Sequence, residues 1–310
     1  MVNKVMKQFC HYGIAIMLLF CLYSIAFANE DHDFYITTAL GCGFSQGVLG
    51  EYVYDNGRKV SQLHWNIDHL YYYFYEVALY YGWFTTGLSL QNSYDHSIGT
   101  INDSDWTDNN NPYVKTNFSH HDNYLEYMHN YNVYCGFLVV NNKDFQLIMK
   151  AGYIYKNIKM SARDGYVEYP PGSPKVSMYG IGIIYQQEYS IPYIAIEAMY
   201  TMYNLSLSGG LSCGIFADAD DVDNHVKRDI DFHDDFDGIL YLCGKAGIQY
   251  SFTHFIIGGK VIYEYVPVTK GDEYYINNSN GSKSPVYNNC GGCKLAVMSI
   301  ELFISIKVEL

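Results

Sequence analysis

Asp221-Val222-Asp223-Asn224-His225 sets two carboxylates and an imidazole at every second position. In an extended chain alternate side chains share a face, so Asp221, Asp223 and His225 line one side of a strand. A carboxylate beside an imidazole favours the protonated ring and makes it a stronger base. A second stretch, Asp103-Ser104-Asp105-Trp106, has the same period and again puts two carboxylates on one face. These are the parts of a general acid–base site, if the fold brings the two stretches together. Read alone, 218–223 would be a solvated acidic loop, as charge runs usually are. A calcium loop of EF-hand type is disfavoured, because the central Gly and terminal Glu are missing. His225 and His233 have no third ligand at zinc spacing, so no metal is expected.

The elements that must position these residues begin after a leader. Lys4 and Lys7, an apolar run over 14–25 and Ala26-Phe27-Ala28 form the pattern of a secretory signal peptide over 1–28. The run is short for a bilayer span. The remainder, 29–310, reads as a single domain. Lys4 and Lys7 leave with the leader, so 17 of the 19 basic residues remain against 32 acidic ones. That balance excludes nucleic acid as a partner, since phosphates need Lys and Arg, and favours basic peptides or proteins. With 34 Tyr and only 7 Pro, the composition suits strands and the aromatic girdles of membrane barrels.

Cys10 and Cys21 fall in the leader. Cys42, Cys135, Cys213 and Cys243 lie singly in strand-like runs and are expected as small buried side chains. Cys290-Gly291-Gly292-Cys293 has no second pair for a zinc site, and a local disulfide stays open.

After the leader no amphipathic helix is expected. Ten extended segments are, near 34–54, 59–77, 82–100, 121–140, 144–164, 177–189, 193–217, 231–250, 254–268 and 293–310. Brief connections near 78–82, 141–143, 190–192 and 251–253 alternate with mostly longer, polar ones at 55–58, 101–120, 165–174, 218–230 and 266–290. Short turns at one end and long loops at the other are the habit of a ten-stranded antiparallel transmembrane β-barrel of the outer membrane, with the long loops outside the cell. The last segment fits: Met298, Ile300, Leu302, Ile304, Ile306, Val308 and Leu310 alternate with Ser299, Glu301, Ser305, Lys307 and Glu309. Strand parity then puts Asp103 and Asp105 at the same outward end as Asp221 and His225, facing one another across the mouth.

Taken in order, these residues resemble the omptin family of outer-membrane endopeptidases, over essentially the whole chain after the leader. The resemblance rests on Gly50-Glu51-Tyr52, the run from Asn56 to Leu63 with Trp65, Asp103-Ser104-Asp105-Trp106 with Asp108 and Asn111-Pro112, Ala151-Gly152-Tyr153, Ser161-Ala162-Arg163, Pro192-Tyr193-Ile194, and Asp221-x-Asp223-x-His225. It implies peptide-bond hydrolysis beside basic residues, preferentially between paired Arg or Lys, with the site facing outside a Gram-negative cell. Water would be activated between an Asp223–His225 couple and the Asp103–Asp105 pair, with no metal. Glu51 and Asp221 would grip the basic side chain. Ser119 and His121 match a run that is otherwise eroded over 114–122, and a structural role suits them as well as a catalytic one. The resemblance also implies lipopolysaccharide as activator, but Asn157 and Glu188 stand where its phosphate-gripping arginines are expected, with Lys156 and Lys159 nearby. A monomer is expected. The rival reading is a surface adhesin or invasin that does no chemistry on the same barrel; a pure adhesin has no physical need for His225 among these acids. A diffusion porin fits poorly, because barrels this small tend to be filled by side chains.

Overall fold

Alternation of apolar and polar residues at period two, punctuated by short turns, produces twelve strands in a computed structural model that describes residues 34–309. The signal-peptide reading over 1–28 and the terminal Leu310 lie outside the described residues. The strands are β1 (Phe34–Asp55), β2 (Arg58–Tyr81), β3 (Phe84–Asp105), β4 (Asn117–Asn141), β5 (Phe145–Glu168), β6 (Val176–Ser177), β7 (Ile181–Met202), β8 (Leu205–His225), β9 (Ile230–Ser251), β10 (Ile256–Asn277), β11 (Ser282–Lys283) and β12 (Tyr287–Glu309). The ten long ones pair antiparallel with their neighbours, and β12 pairs with β1 to close the ring. The two-residue strands β6 and β11 ride on β5 and β10 above the outer rim.

The pleat sorts the side chains as the terminal strand foretold. On β12 the outward series from Met298 to Val308 is 44–62% exposed, while Ser299, Glu301 and Ser305 are at most 8% exposed. Tyr71, Tyr73, Leu207, Leu211, Ile257 and Val261 continue this apolar belt on other strands. Tyr71, Tyr94 and Tyr131 are exposed near its outer edge, and Trp83, Tyr203, Tyr250 and Phe252 near its inner edge; these are the two aromatic girdles. A barrel strand crosses a bilayer in about 9–11 residues, whereas these strands run 21–25 residues. About half of each strand therefore stands outside the membrane, and Glu51, Asp103, Asp221 and His225 lie in that outer half.

Inside the belt, the lumen is polar and charge-balanced. Lys260 bridges Glu76 at 2.5 Å and Glu301 at 2.9 Å. Glu197 binds Lys150 at 2.7 Å and also Lys245, and Lys156 binds Glu264 at 2.6 Å. Glu301 is fully buried and also accepts from the Tyr72 hydroxyl at 2.7 Å and from Gln91 at 2.9 Å. A cavity of about 500 Å³ lies among these groups. Above it, Leu49, Trp65, Ile98, Leu125, Met160, Tyr185 and Tyr189 pack as an apolar floor beneath the outer mouth.

Several sequence expectations need correction. The break expected at 190–192 is absent: β7 runs through Pro192, whose missing N–H is absorbed by a register shift between Ser190 and Ile194. The turn comes instead at Tyr203-Asn204, with Tyr203 at φ 57°. The polar stretches 218–230 and 266–290, expected as long loops, are largely strand, so Asp221, Asp223 and His225 project from β8 itself. Cys42 faces lipid rather than the core. Lys156 points into the lumen toward Glu264, so it does not reach a lipid headgroup.

If the series on β12 faces hydrocarbon, Leu302→Arg should cost about 2–4 kcal/mol, and the same change at Val308, at the inner end of that series, about 0–1 kcal/mol. Unfolding midpoints of the two variants in lipid bilayers check this; equal costs would contradict the membrane placement.

Candidate active site

β3 and β8 are four places apart in a ring of ten long strands, so their outer ends face each other across the mouth. Asp223 is buried, and its Oδ2 accepts from His225 Nε2 at 2.7 Å. The His225 ring sits edge-on to Phe232, with centroids 5.2 Å apart, which holds its plane. Burial lowers the pKa of His225, but the charge and hydrogen bond of Asp223, with a smaller effect of Asp103, outweigh this and leave it raised.

Asp103 answers from the other wall. Burial first, then the neighbouring Asp105 and the more distant Asp223, push it up to about 7, against the opposing pull of His225 and Arg228. That mutual action is the sign that the two stretches meet across the mouth. Asp105 is braced by Asn117 Nδ2 at 3.1 Å. Ser119 and His121 also come to this wall. The Ser119 hydroxyl lies 3.5 Å from Asp103 Oδ2 and 3.0 Å from His121 Nε2, while His121 Nδ1 bonds the Asp164 carbonyl. Burial holds the pKa of His121 down despite that bond, so the ring is neutral with its proton on Nδ1. Nε2 is then the acceptor for the Ser119 hydroxyl. With its single proton committed there, Ser119 serves Asp103 best as an acceptor, which suits the protonated acid.

Glu51, on β1, and Asp221, on β8, meet on the floor of the mouth. Trp65 Nε1 donates to Glu51 Oε2 at 3.4 Å, and the Tyr185 hydroxyl donates to Asp221 Oδ2 at 2.9 Å. The Trp65 and Tyr185 rings stack at 5.1 Å and form the apolar wall between the two acids. Burial, then Asp223 and Asp221, raise Glu51 well above the carboxylate range. Burial and the neighbouring acids push Asp221 up to about 8, although the Tyr185 hydrogen bond works against the shift.

Two acids missed by the sequence reading belong here. Asp234 on β9 stands directly opposite Asp221, and Glu273 on β10 directly opposite Asp234. Both are buried and both have raised pKa values, first from burial and then from neighbouring carboxylates. The signal that could have found them is cross-strand register, which needs the strand ends placed to the residue. Asn157 and Glu188 lie on the outer wall, hydrogen-bonded to each other at 2.9 Å. Cys290 and Cys293 are free thiols, separated along β12. No cluster of three or more His, Cys, Asp or Glu suited to a metal ion occurs among the described residues.

Comparison with known proteins agrees with this architecture. A sequence model of the Omptin family matches residues 32–307. The outer membrane protease IcsP of Shigella flexneri is 26% identical over 275 residues, covering 82% of this chain and 84% of the relative. The plasminogen activator of Yersinia pestis is 23% identical over 266 residues, covering 83% and 84%. The crystal structure of the outer membrane protease OmpT from Escherichia coli superposes with a TM-score of 0.81 at 20% identity, over 89% of this chain and 97% of that one, a likeness of fold.

The raised acids set the pH dependence of stability. Carboxyls titrate near about 4 when unfolded, and here Asp103 and Asp221 titrate at about 7 and about 8. Folding therefore takes up protons between those limits: the stability is fully present below pH of about 4 and is lost as pH rises through about 8. Thermal unfolding in detergent should give a higher midpoint at pH 5 than at pH 8.5. Asp234→Asn should add about 1–4 kcal/mol at the higher pH and little at the lower; destabilisation at both would refute this account.

Proposed function

Because this chain belongs to the omptin family, a family of outer-membrane proteases of Gram-negative bacteria, we propose that it is an endopeptidase that cuts beside basic residues, preferentially between paired Arg or Lys. The observation that carries the reading is the Asp223–His225 contact of 2.7 Å, made by a buried carboxylate to a half-buried ring, set opposite Asp103 at the outer mouth. Asp223 occupies Nε2, which leaves Nδ1 as the nitrogen that accepts a proton. In the proposed reaction His225 takes that proton from water as the water attacks the peptide carbonyl. Asp223 stabilises the imidazolium that forms, as the carboxylate does in hydrolytic triads. Asp103 and Asp105 hold the water from the far side, and a proton stored at Asp103 is available to the carbonyl oxygen or the leaving amine. Ser119 and His121 act as positioning residues that orient Asp103.

Specificity falls to Glu51 and Asp221. An incoming guanidinium brings the positive charge that two crowded carboxylates lack, and can be gripped at two points. The net acidic chain draws cationic peptides to the mouth. The outer wall offers Glu188 and Asn157 rather than arginines and keeps only Lys159, on the same face of β5 as Asn157, so its hold on lipid phosphates is weakened. We therefore expect activity without added lipopolysaccharide.

Protein refolded in detergent should cleave an Arg-Arg peptide with or without lipopolysaccharide. His225→Ala should lower kcat/KM by about 10²–10⁴-fold. Cleavage unchanged in that variant would remove the proposed mechanism and leave the adhesin reading. Separately, Glu51→Gln with Asp221→Asn should reduce the preference for Arg over a neutral residue at the cleavage position by at least about tenfold. Competition between the two peptides measures it directly.

A further inference from the structure

Asp221, Asp234 and Glu273 form one rung across β8, β9 and β10. Neighbouring strands are about 4.8 Å apart, so the rung presents a carboxyl every strand, with Glu273 about 10 Å from Asp221. The rung is walled in: Asp234 is 6% and Glu273 7% exposed. Buried carboxyls are ordinarily paired or fully hydrogen-bonded. Here Asp234 Oδ1 and Glu273 Oε2 are both buried with no partner. Among the described residues no Lys or Arg nitrogen lies within 4.0 Å of Glu51, Asp221, Asp234 or Glu273.

The adjoining strand β12, next to β10, is cut back beside the rung. A Cβ built on Gly291 would lie 2.5 Å from the Asp234 carboxyl, so any larger residue there would have to displace this acid. One cation at Glu51 and Asp221 cannot also satisfy two further carboxyls on the neighbouring strands.

We propose that Asp234 and Glu273 form a second cation subsite beside Glu51 and Asp221, which takes another basic side chain of the same substrate peptide. The subsite rests on the protease reading for its substrate class. Side chains on one face of an extended peptide recur every second residue, about 7 Å apart, and the flexible arms of Arg and Lys cover the remaining distance. A substrate that also fills this subsite therefore carries a basic residue two positions from the one held by Glu51 and Asp221, a spacing that a directly adjacent pair alone does not supply.

Binding tests this independently of catalysis. In full-length His225→Ala protein refolded in detergent, anisotropy titrations would use a labelled Gly/Ser peptide with one Arg, the same peptide with a second Arg two positions away on either side, and an adjacent-Arg control. One of the two spaced peptides should bind at least about tenfold tighter than the adjacent-Arg control. Asp234→Asn with Glu273→Gln should abolish that advantage. Gly291→Ala, which changes no charge but intrudes on the Asp234 carboxyl, should shrink it too. Equal binding of spaced and adjacent peptides, or an advantage that survives the double variant, overturns the subsite. Spaced-peptide preference in a protein whose unsubstituted form cleaves no peptide would overturn the protease reading and leave the subsite standing. Cleavage without the preference would do the reverse.

Discussion

Closure of the ring by β1 and β12 is the constraint on which the rest depends. Their unbroken register from Tyr35–Glu309 to Val53–Gly291 leaves no free edge among the ten long strands and fixes which side of each faces inward. Once that is set, a one-residue slip would turn a whole inward series toward lipid. The same register puts Glu51 opposite Cys293 at the floor of the mouth. It is closure, rather than any local motif, that gathers acids from β1, β3, β8, β9 and β10 into one volume.

That volume and the lumen below follow opposite electrostatic rules. In the lumen each of Glu76, Glu197, Glu264 and Glu301 has a lysine partner, and the polar hydroxyls and amides around them complete their hydrogen bonds. Burying those charges is tolerable because they are paired. At the mouth, buried carboxyls face one another. Packing does not require this: Trp65, Tyr185 and Tyr189 already seal the floor, and an amide of the same shape would fill each acid's place. An arrangement that works against the folded state is characteristic of a site built for a ligand.

The sequence carried the fold almost in full, because period-two alternation over long strands survives local irregularity. The acidic stretches of the candidate site were legible for the same reason: Asp221, Asp223 and His225 lie at alternate positions on one face. What stayed hidden had physical causes. Pro192 ordinarily marks a break, and here a register shift shelters it mid-strand. The true turn uses Tyr203 in a left-handed conformation, with neither Gly nor Pro to announce it. Polarity in the outer half of β8 and β10 looked like loop, yet residues beyond the membrane meet water on the outward face, so polar strands are natural there. Asp234 and Glu273 were missed because each is a lone acid in its own strand, and only the neighbouring strands reveal their company.

The rim explains why the mouth can stay unneutralised with lysines so close. Lys59 lies over Trp106 at 4.6 Å, Lys115 over Phe118 at 4.8 Å, Lys175 over Tyr166 at 3.7 Å, Lys270 over Tyr54 at 4.0 Å and Lys283 over Tyr274 at 3.5 Å. Each ammonium rests on a π face, a contact worth about 0.5–1 kcal/mol at exposed sites. That is enough to bias where a flexible side chain spends its time, yet weak enough not to rigidify the rim. The tyrosine-rich composition therefore does two separate jobs: at the belt it anchors the barrel in lipid, and at the rim it parks the protein's own cations away from the carboxyls. Floor acids with no lysine or arginine in direct contact among the described residues hold their strongest attraction for a cation that arrives from outside.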